Sequence, residues 1–312
     1  MQLWQILIHS WRPSGLSRHL VRAPAKINLG LKVLGTRLDG FHNIQSIFQT
    51  IDLFDELLFE PVGQEGIEVV CDTLPTGQEN LVFQAADAMW KLGRPENGIR
   101  ITLTKGIPVG AGLGGGSSDA AAVILSLDSL WQVGLSDVQF LDVAESLGSD
   151  VPFFLQGGTA LVSGRGEHIQ FVDWSENFHY VLVYPNIEIS SSWAYQNLRI
   201  GLTGSSVYSR FLHSVEDSGN CCPDSLLACL ENDFLPLVED NFPVVGRVLD
   251  ELAQAGAVAS SLSGSGSALY GVFRDQSQAQ KALVRLRSLG YPVYHCHSWR
   301  KNIDVSGGLL PE

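Results

Sequence analysis

Apolar positions along this chain change their spacing several times, and each change marks an element. From His19 to Gly35 the run is dense in Leu, Val, Ala and Ile, which predicts a long strand; Lys26 and Asn28 share a parity and so project from one face. Residues 36–43 read as a turn, and Ile44–Leu53 and Ile67–Cys71 as further strands. Asn80 heads a helical stripe over Leu81–Leu92, with Gly93 just beyond it. Ile99–Leu103 is strand-like. A glycine-rich loop follows, and then a helical run over Ser118–Trp131 that Ser117 or Ser118 is placed to cap. Ser136 and Gln139 have capping-box spacing for a helix to Leu147, stopped by Gly148. A glycine-bearing strand pair runs on to Gly166.

Polar residues from Asp173 to Asn177 mark the expected boundary between two lobes. Beyond it, Tyr180–Tyr184 reads as a buried strand, 185–192 as a loop, and 201–220, rich in Ser and Gly, as a surface loop without period. Phe242–Ala255 is a helix opened by Pro243 and closed by Gly256. Two strands, Ala257–Leu262 and Ser267–Phe273, flank a second small-residue loop, S-G-S-G-S. A helix over Gln276–Leu289 and a strand over Tyr291–His297 complete the chain.

Length and charge narrow the class. A chain of 312 residues fits one large domain or two lobes. The net charge of −13 argues against a protein that lives on nucleic-acid phosphates. No apolar run approaches the roughly 18 residues of a membrane span. The five cysteines include no C-x-x-C pair, which fits a reducing, cytoplasmic setting. Residues 1–18 read as a detachable extension; their lack of acidic residues resembles an organelle transit peptide only faintly. His295 and His297 share a strand face, but no third ligand is near in sequence, so they read as a partly exposed edge.

The chemistry concentrates in Pro108, Val109, Gly110, Ala111, Gly112, Leu113, Gly114, Gly115, Gly116, Ser117 and Ser118. A glycine loop that feeds a helix N-terminus aims free N–H groups and the positive end of a dipole at one point, a ready phosphate site. It is not a P-loop, because no lysine follows the glycines. Gly110, Gly112 and Gly115 formally meet G-x-G-x-x-G, but the helix leads to a second helical run rather than to the strand of a βαβ unit. A kinase of the protein-phosphorylating type would need H-R-D and D-F-G, and neither occurs.

Three segments in this order, A-P-A-K-I-N-L-G-L from Ala23, G-L-G-G-G-S-S-D-A-A from Gly112 and S-L-S-G-S-G-S from Ser261, resemble the GHMP kinase superfamily of small-molecule kinases. D-G-F-H-N-I-Q-S from Asp39 and G-S-D-V-P-F-F from Gly148 look most like the branch that serves the non-mevalonate route to isopentenyl diphosphate. The resemblance spans roughly residues 19–300. It implies an α+β, two-lobe fold, with a ribosomal protein S5 domain 2-like ATP-binding lobe over 19–175 and a ferredoxin-like lobe over 176–312. It implies ATP, with Mg²⁺, held by Pro108–Ser118, and a cytidine diphosphate-linked methylerythritol as the alcohol substrate. Lys26 and Asp150 would meet at the acceptor hydroxyl, Asp150 taking or orienting its proton. Asn28 would bind substrate near that hydroxyl. Phe41 and Tyr195 would sandwich the cytosine, with His42 reading its polar edge. Metal ligands are unassigned, with Ser118 or Asp119 the only candidates. A monomer or weak homodimer is expected.

Taken singly these residues are bland. Asp150, after a helix stop and before Pro152, reads as a turn residue, and Lys26 as a solvated strand lysine. Only their combination with the glycine loop points to phosphoryl transfer, which asks chiefly for positioning and charge stabilisation. The rivals are a sister kinase of the same fold acting on another alcohol, and a non-catalytic nucleotide- or sugar-binding regulator.

Overall fold

The computed structural model describes residues 18–173, 178–198, 206–300, 303 and 305. Residues 1–17 of the expected extension over 1–18, and residues 174–177 of the expected lobe boundary, lie outside them. The frame of the first lobe is a long antiparallel ladder between β1 (His19–Thr36) and β2 (His42–Val62), with His19 opposite Phe59 and Thr36 opposite His42. Between them Asp39 closes the turn, its Oδ1 accepting from Phe41 N at 3.1 Å. β3 (Ile67–Val70), α1 (Leu81–Gly93) and β4 (Gly98–Thr104) form a parallel crossover added to the far half of β2. Asn80 caps α1 as its sequence promised, its side chain accepting from Val82 N at 2.8 Å. α2 (Gly115–Trp131), α3 (Asp137–Leu147) and α4 (Val151–Gln156) follow, then the hairpin β5 (Thr159–Gly164) and β6 (His168–Phe171), paired to the near half of β2.

The helices α1 to α4 cover one face of this sheet around a core that includes Val21, Ala23, Phe48, Val123 and Phe154. A register shift between Pro24 and Ala25 then changes what β1 presents to each side. Before it, Val21 and Ala23 face that first core; after it, Ala25, Ile27 and Leu29 pack into a second core with Tyr180 and Tyr270. Two residues of β2, Asp52 and Leu53, are left unpaired at this irregularity, and the apolar parity of β1 changes cores across it. Lys26 and Asn28 therefore lie on the side of the helices and the glycine loop.

The second sheet is fully antiparallel, in the order β10-β7-β9-β8, built from β7 (His179–Val183), β8 (Ala259–Leu262), β9 (Leu269–Phe273) and β10 (Val293–His297). Between β7 and β8 run α5 (Ser191–Asn197), α6 (Val207–Ser218), α7 (Pro223–Ala228), α8 (Leu235–Asn241) and α9 (Val244–Gln254); α10 (Gln276–Arg287) joins β9 to β10. Val245, Val248 and Leu252 of α9 and Ala279 and Leu283 of α10 pack with Val181 and Phe273 in a third core.

Two readings from sequence need correcting. The supposed irregular loop over 201–220 contains α6. Ser206 caps it through Ser209 N, Gly219 ends it at φ 69°, and Tyr208, Leu212 and Val215 are buried at helical spacing. Serines at both ends masked a three-residue stripe too sparse to stand out. Second, α2 starts at Gly115 and is led in by Gly114 at φ 70°, with no side-chain cap. Ser117 and Ser118 lie inside the first turn, so neither caps it.

Candidate active site

Two close approaches explain the loop's glycines. A Cβ on Gly112 (φ 77°) would stand 2.1 Å from the Ser263 carbonyl oxygen. One on Gly114 (φ 70°) would stand 2.8 Å from the Phe154 ring and 3.0 Å from Lys26 Cγ. Only bare backbone can pass between these walls while adopting the left-handed region. The S-G-S-G-S turn between β8 and β9 braces the loop from behind. Ser263 Oγ donates to Gly112 O at 2.9 Å, and Ala268 N to Ala111 O at 3.1 Å. Pro108 to Ser117, with Leu74, Leu81 and Lys105, line a cavity of about 290 Å³ at the head of α2. Unpaired amides at such a helix end suit a phosphate.

Lys26 reaches the same place from β1. Its backbone N donates to Leu113 O at 2.9 Å, tying strand to loop. The side chain is buried, 4% exposed, contrary to the ordinary expectation for lysine. Its Nζ lies 4.6 Å from the Phe48 ring centroid, donates to Asn28 Oδ1 at 2.6 Å and stands 3.6 Å from Asp150 Oδ2. Burial pulls this ammonium below the usual lysine value, and the Asp150 charge only partly restores it. Asp150 sits at the N-terminal boundary of α4, directly before the buried Val151–Leu155 run, and its side chain keeps 28% exposure. Asn28 Nδ2 in turn donates to Ser46 Oγ at 2.9 Å, and Ser46 Oγ to Gly30 O at 2.6 Å. Both ends of the Asn28 amide are thus engaged by protein, and the side chain orients Lys26.

At the turn between β1 and β2, Phe41 is 55% exposed, with the Arg165 guanidinium 5.2 Å from its ring centroid. His42 stacks on Tyr195, centroids 4.9 Å apart and planes 22° apart, and Tyr195 meets Phe234 edge-on. Burial, and then the charge of Asp150, push the Tyr195 hydroxyl up to about 12. The structure thus joins His42, Tyr195 and the surroundings of Asp150 in one aromatic wall, with Phe41 on the exposed turn beside it.

A charge cluster beside the loop was not foreseen. Lys105 Nζ bonds Asp55 Oδ2 and, at 2.8 Å, Asp119 Oδ2, all three side chains being 6% exposed or less. Asp55 Oδ1 also accepts from Gly106 N at 2.7 Å and Ile107 N at 2.9 Å, fixing the chain as it enters the loop. Burial first, and the neighbouring Asp55 charge second, hold the Asp119 carboxyl well above the usual range. Burial alone would depress Lys105, but Asp119 and Asp55 outweigh it and raise the ammonium. The only sequence signal was a lysine just before Gly106, which has no motif of its own.

Known proteins resemble this chain over most of its length. Family models described as GHMP kinases N terminal domain and GHMP kinases C terminal match residues 80–158 and 222–292. The 4-diphosphocytidyl-2-C-methyl-D-erythritol kinase of Geobacter metallireducens is 40% identical over 265 residues, covering 84% of this chain and 92% of that protein. The kinase of the same name from Chlorobium phaeobacteroides is 40% identical over 272 residues, covering 84% of this chain and 91% of its own. A crystal structure of 4-(cytidine 5'-diphospho)-2C-methyl-D-erythritol kinase superposes with a TM-score of 0.73 at 31% identity, covering 90% of this chain and 99% of that one. Homoserine kinase from Cytophaga hutchinsonii shares the fold at 20% identity, with a TM-score of 0.73. The chain belongs to the GHMP kinase superfamily and, within it, to the family of 4-diphosphocytidyl-2-C-methyl-D-erythritol kinases.

Proposed function

We propose that this chain transfers the γ-phosphoryl group of ATP to the 2-hydroxyl of 4-diphosphocytidyl-2-C-methyl-D-erythritol, giving ADP and the 2-phosphate, a step of the non-mevalonate route to isopentenyl diphosphate. The observation that carries the mechanism is the Lys26–Asp150 pair, 3.6 Å apart and set beside the glycine loop by two separate elements. The triphosphate lies along the bare amides of Pro108–Ser118 with its terminal group toward Lys26. Asp150 accepts the hydroxyl proton as the substrate oxygen attacks phosphorus in line, and the bond from the γ-phosphorus to the β–γ bridging oxygen breaks to release ADP. The buried ammonium offsets charge on the equatorial oxygens, where the low local dielectric makes it count. Asn28 keeps that ammonium in place. Phe41, His42 and Tyr195 offer ring faces and a polar edge to the cytosine, the Tyr195–His42 stack opening or shifting to admit it.

Mg²⁺ would neutralise the triphosphate oxygens and rigidify them. The residues present suit it: Ser118 Oγ and Asp119 Oδ1 are buried oxygens with no hydrogen-bond partner among the described residues, donors of the hard kind this cation takes. The chain works as a monomer or weak homodimer. No helix among the described residues is long and apolar enough to cross a membrane.

The test is ADP release with ATP, Mg²⁺ and a panel of alcohols that includes the cytidine diphosphate substrate, mevalonate and homoserine. Turnover confined to the first is expected. Asp150→Asn should lower kcat by about 10²–10⁴-fold, the usual worth of a positioned base, with ATP affinity nearly unchanged. Normal turnover by that variant would sink the mechanism.

A further inference from the structure

We infer that the second sheet carries a transition-metal site formed by His179, His295 and His297, with Zn²⁺ the dication that fits it best. The ladder between β7 and β10 places His297 directly opposite His179, and His295 two positions earlier on the same face of β10. The third ligand that His295 and His297 lack in sequence thus comes from the neighbouring strand. One ligand atom from each imidazole can be chosen so that all three lie within 4.8 Å of one another. His179 Nδ1 and His295 Nε2 are already 3.1 Å apart. Two nitrogens on a tetrahedral zinc with bonds of 2.0–2.1 Å stand about 3.3 Å apart, so this edge of the site is preformed. The His297 ring, centred 4.8 Å from each of the other two, has only a short swing to make.

The outer partners match a metal site too. Asp52 Oδ2 lies 2.9 Å from His297 Nδ1, which leaves Nε2 to face the ion in a carboxylate–histidine–metal arrangement. The Gln280 amide lies 2.8 Å from His295 Nδ1; turned over, it presents Oε1 to an Nδ1–H and frees Nε2 for the ion. A three-nitrogen set with an open fourth position suits Zn²⁺, Co²⁺ or Ni²⁺ and rejects Mg²⁺. The site is separate from the glycine-loop cavity. Asp52 belongs to β2, and its Oδ1 also accepts from His297 N at 2.5 Å. A bound ion would therefore clip the first sheet to the edge of the second.

The test titrates tag-free, metal-stripped full-length protein with Co²⁺ in excess Mg²⁺, follows visible absorption, and then displaces the ion with Zn²⁺. One equivalent per chain is expected, with the intense bands of four-coordinate Co²⁺. His179→Gln, His295→Gln and His297→Gln should each abolish the bands. Asp52→Asn should weaken binding by about 10–100-fold, the range for a lost outer-shell carboxylate. His213→Gln, a change at an exposed histidine of α6, should leave the titration unchanged. Retained ADP formation by the His179→Gln or His295→Gln variant separates lost binding from misfolding, and Zn²⁺ should raise Tm in the parent but not in those variants. No saturable Co²⁺ binding, displacement by Mg²⁺, or bands that survive in the histidine variants would each overturn the assignment.

Discussion

Replacing Lys26 with methionine separates catalysis from stability more cleanly than any other change here. The side chain is buried, and its ammonium faces Asp150 at 3.6 Å. At an effective dielectric of about 20 that attraction amounts to about 4–5 kcal/mol. The 28% exposure of the Asp150 side chain screens it further. Against it stands the cost of removing an ammonium from water, which is several kcal/mol even after relaxation. The depressed pKa of Lys26 says that burial wins. A base whose folded pKa lies below its unfolded value costs stability at every pH below the folded one, and the cost vanishes only above the unfolded value of 10.5. Lys26→Met removes that cost, loses the 2.6 Å bond to Asn28, worth about 1.5–3 kcal/mol, and leaves Asp150 to water. Net stability in urea should therefore move by no more than about 2 kcal/mol in either direction. Turnover should fall by about 10²–10³-fold, the loss typical when one preorganised donor to a transition-state charge is removed. The wild-type kcat–pH profile should fall on its basic side at a pH below 10.5, because the neutral lysine is reached early. The assays are coupled ADP release and equilibrium unfolding. A variant destabilised by more than about 3 kcal/mol yet turning over at near the parent rate would refute the reasoning and make Lys26 a structural residue.

The other buried lysine should behave in the opposite way. Lys105→Met leaves Asp55 and Asp119 facing each other without a cation, so at pH 7 it should cost about 3–5 kcal/mol. Because burial and the Asp55 charge push the Asp119 carboxyl up to about 8 even with Lys105 beside it, that deficit should widen as pH rises past 8, where only the parent has a cation to meet the ionised carboxylate, as read by urea melts across pH. Gly112→Ala places a Cβ against the Ser263 carbonyl at a positive φ. The backbone term alone is about 1–2 kcal/mol, and displacement of the loop should weaken ATP binding measured by calorimetry while Asp150 and Lys26 stay in place. Tyr208→Phe deletes the 2.7 Å bond to Leu29 O and should cost about 1–3 kcal/mol in unfolding with kcat unchanged, showing that α6 is a packed element.

Features that depend on a few neighbouring residues were legible before any coordinates. The Asn80 cap, the Ser136–Gln139 box, the glycine loop ahead of a helix and the shared parity of Lys26 and Asn28 each follow from local backbone geometry. The motifs that carry the family resemblance are local in the same sense. What sequence alone left undecided is contact between distant segments. The shift between Pro24 and Ala25 chooses the side on which Lys26 lies, and no spacing rule announces a bulge. Lys105 gains its meaning only when β2 brings Asp55 and α2 brings Asp119 to it. Gly114, rather than a serine, leads in α2 because Phe154 and Lys26 leave no room for a side chain there. His179 meets His295 and His297 only through the ladder between β7 and β10. Side-chain chemistry and backbone preference belong to the residue, whereas register, bulges and burial belong to the whole packed chain, and these decide which chemistries meet.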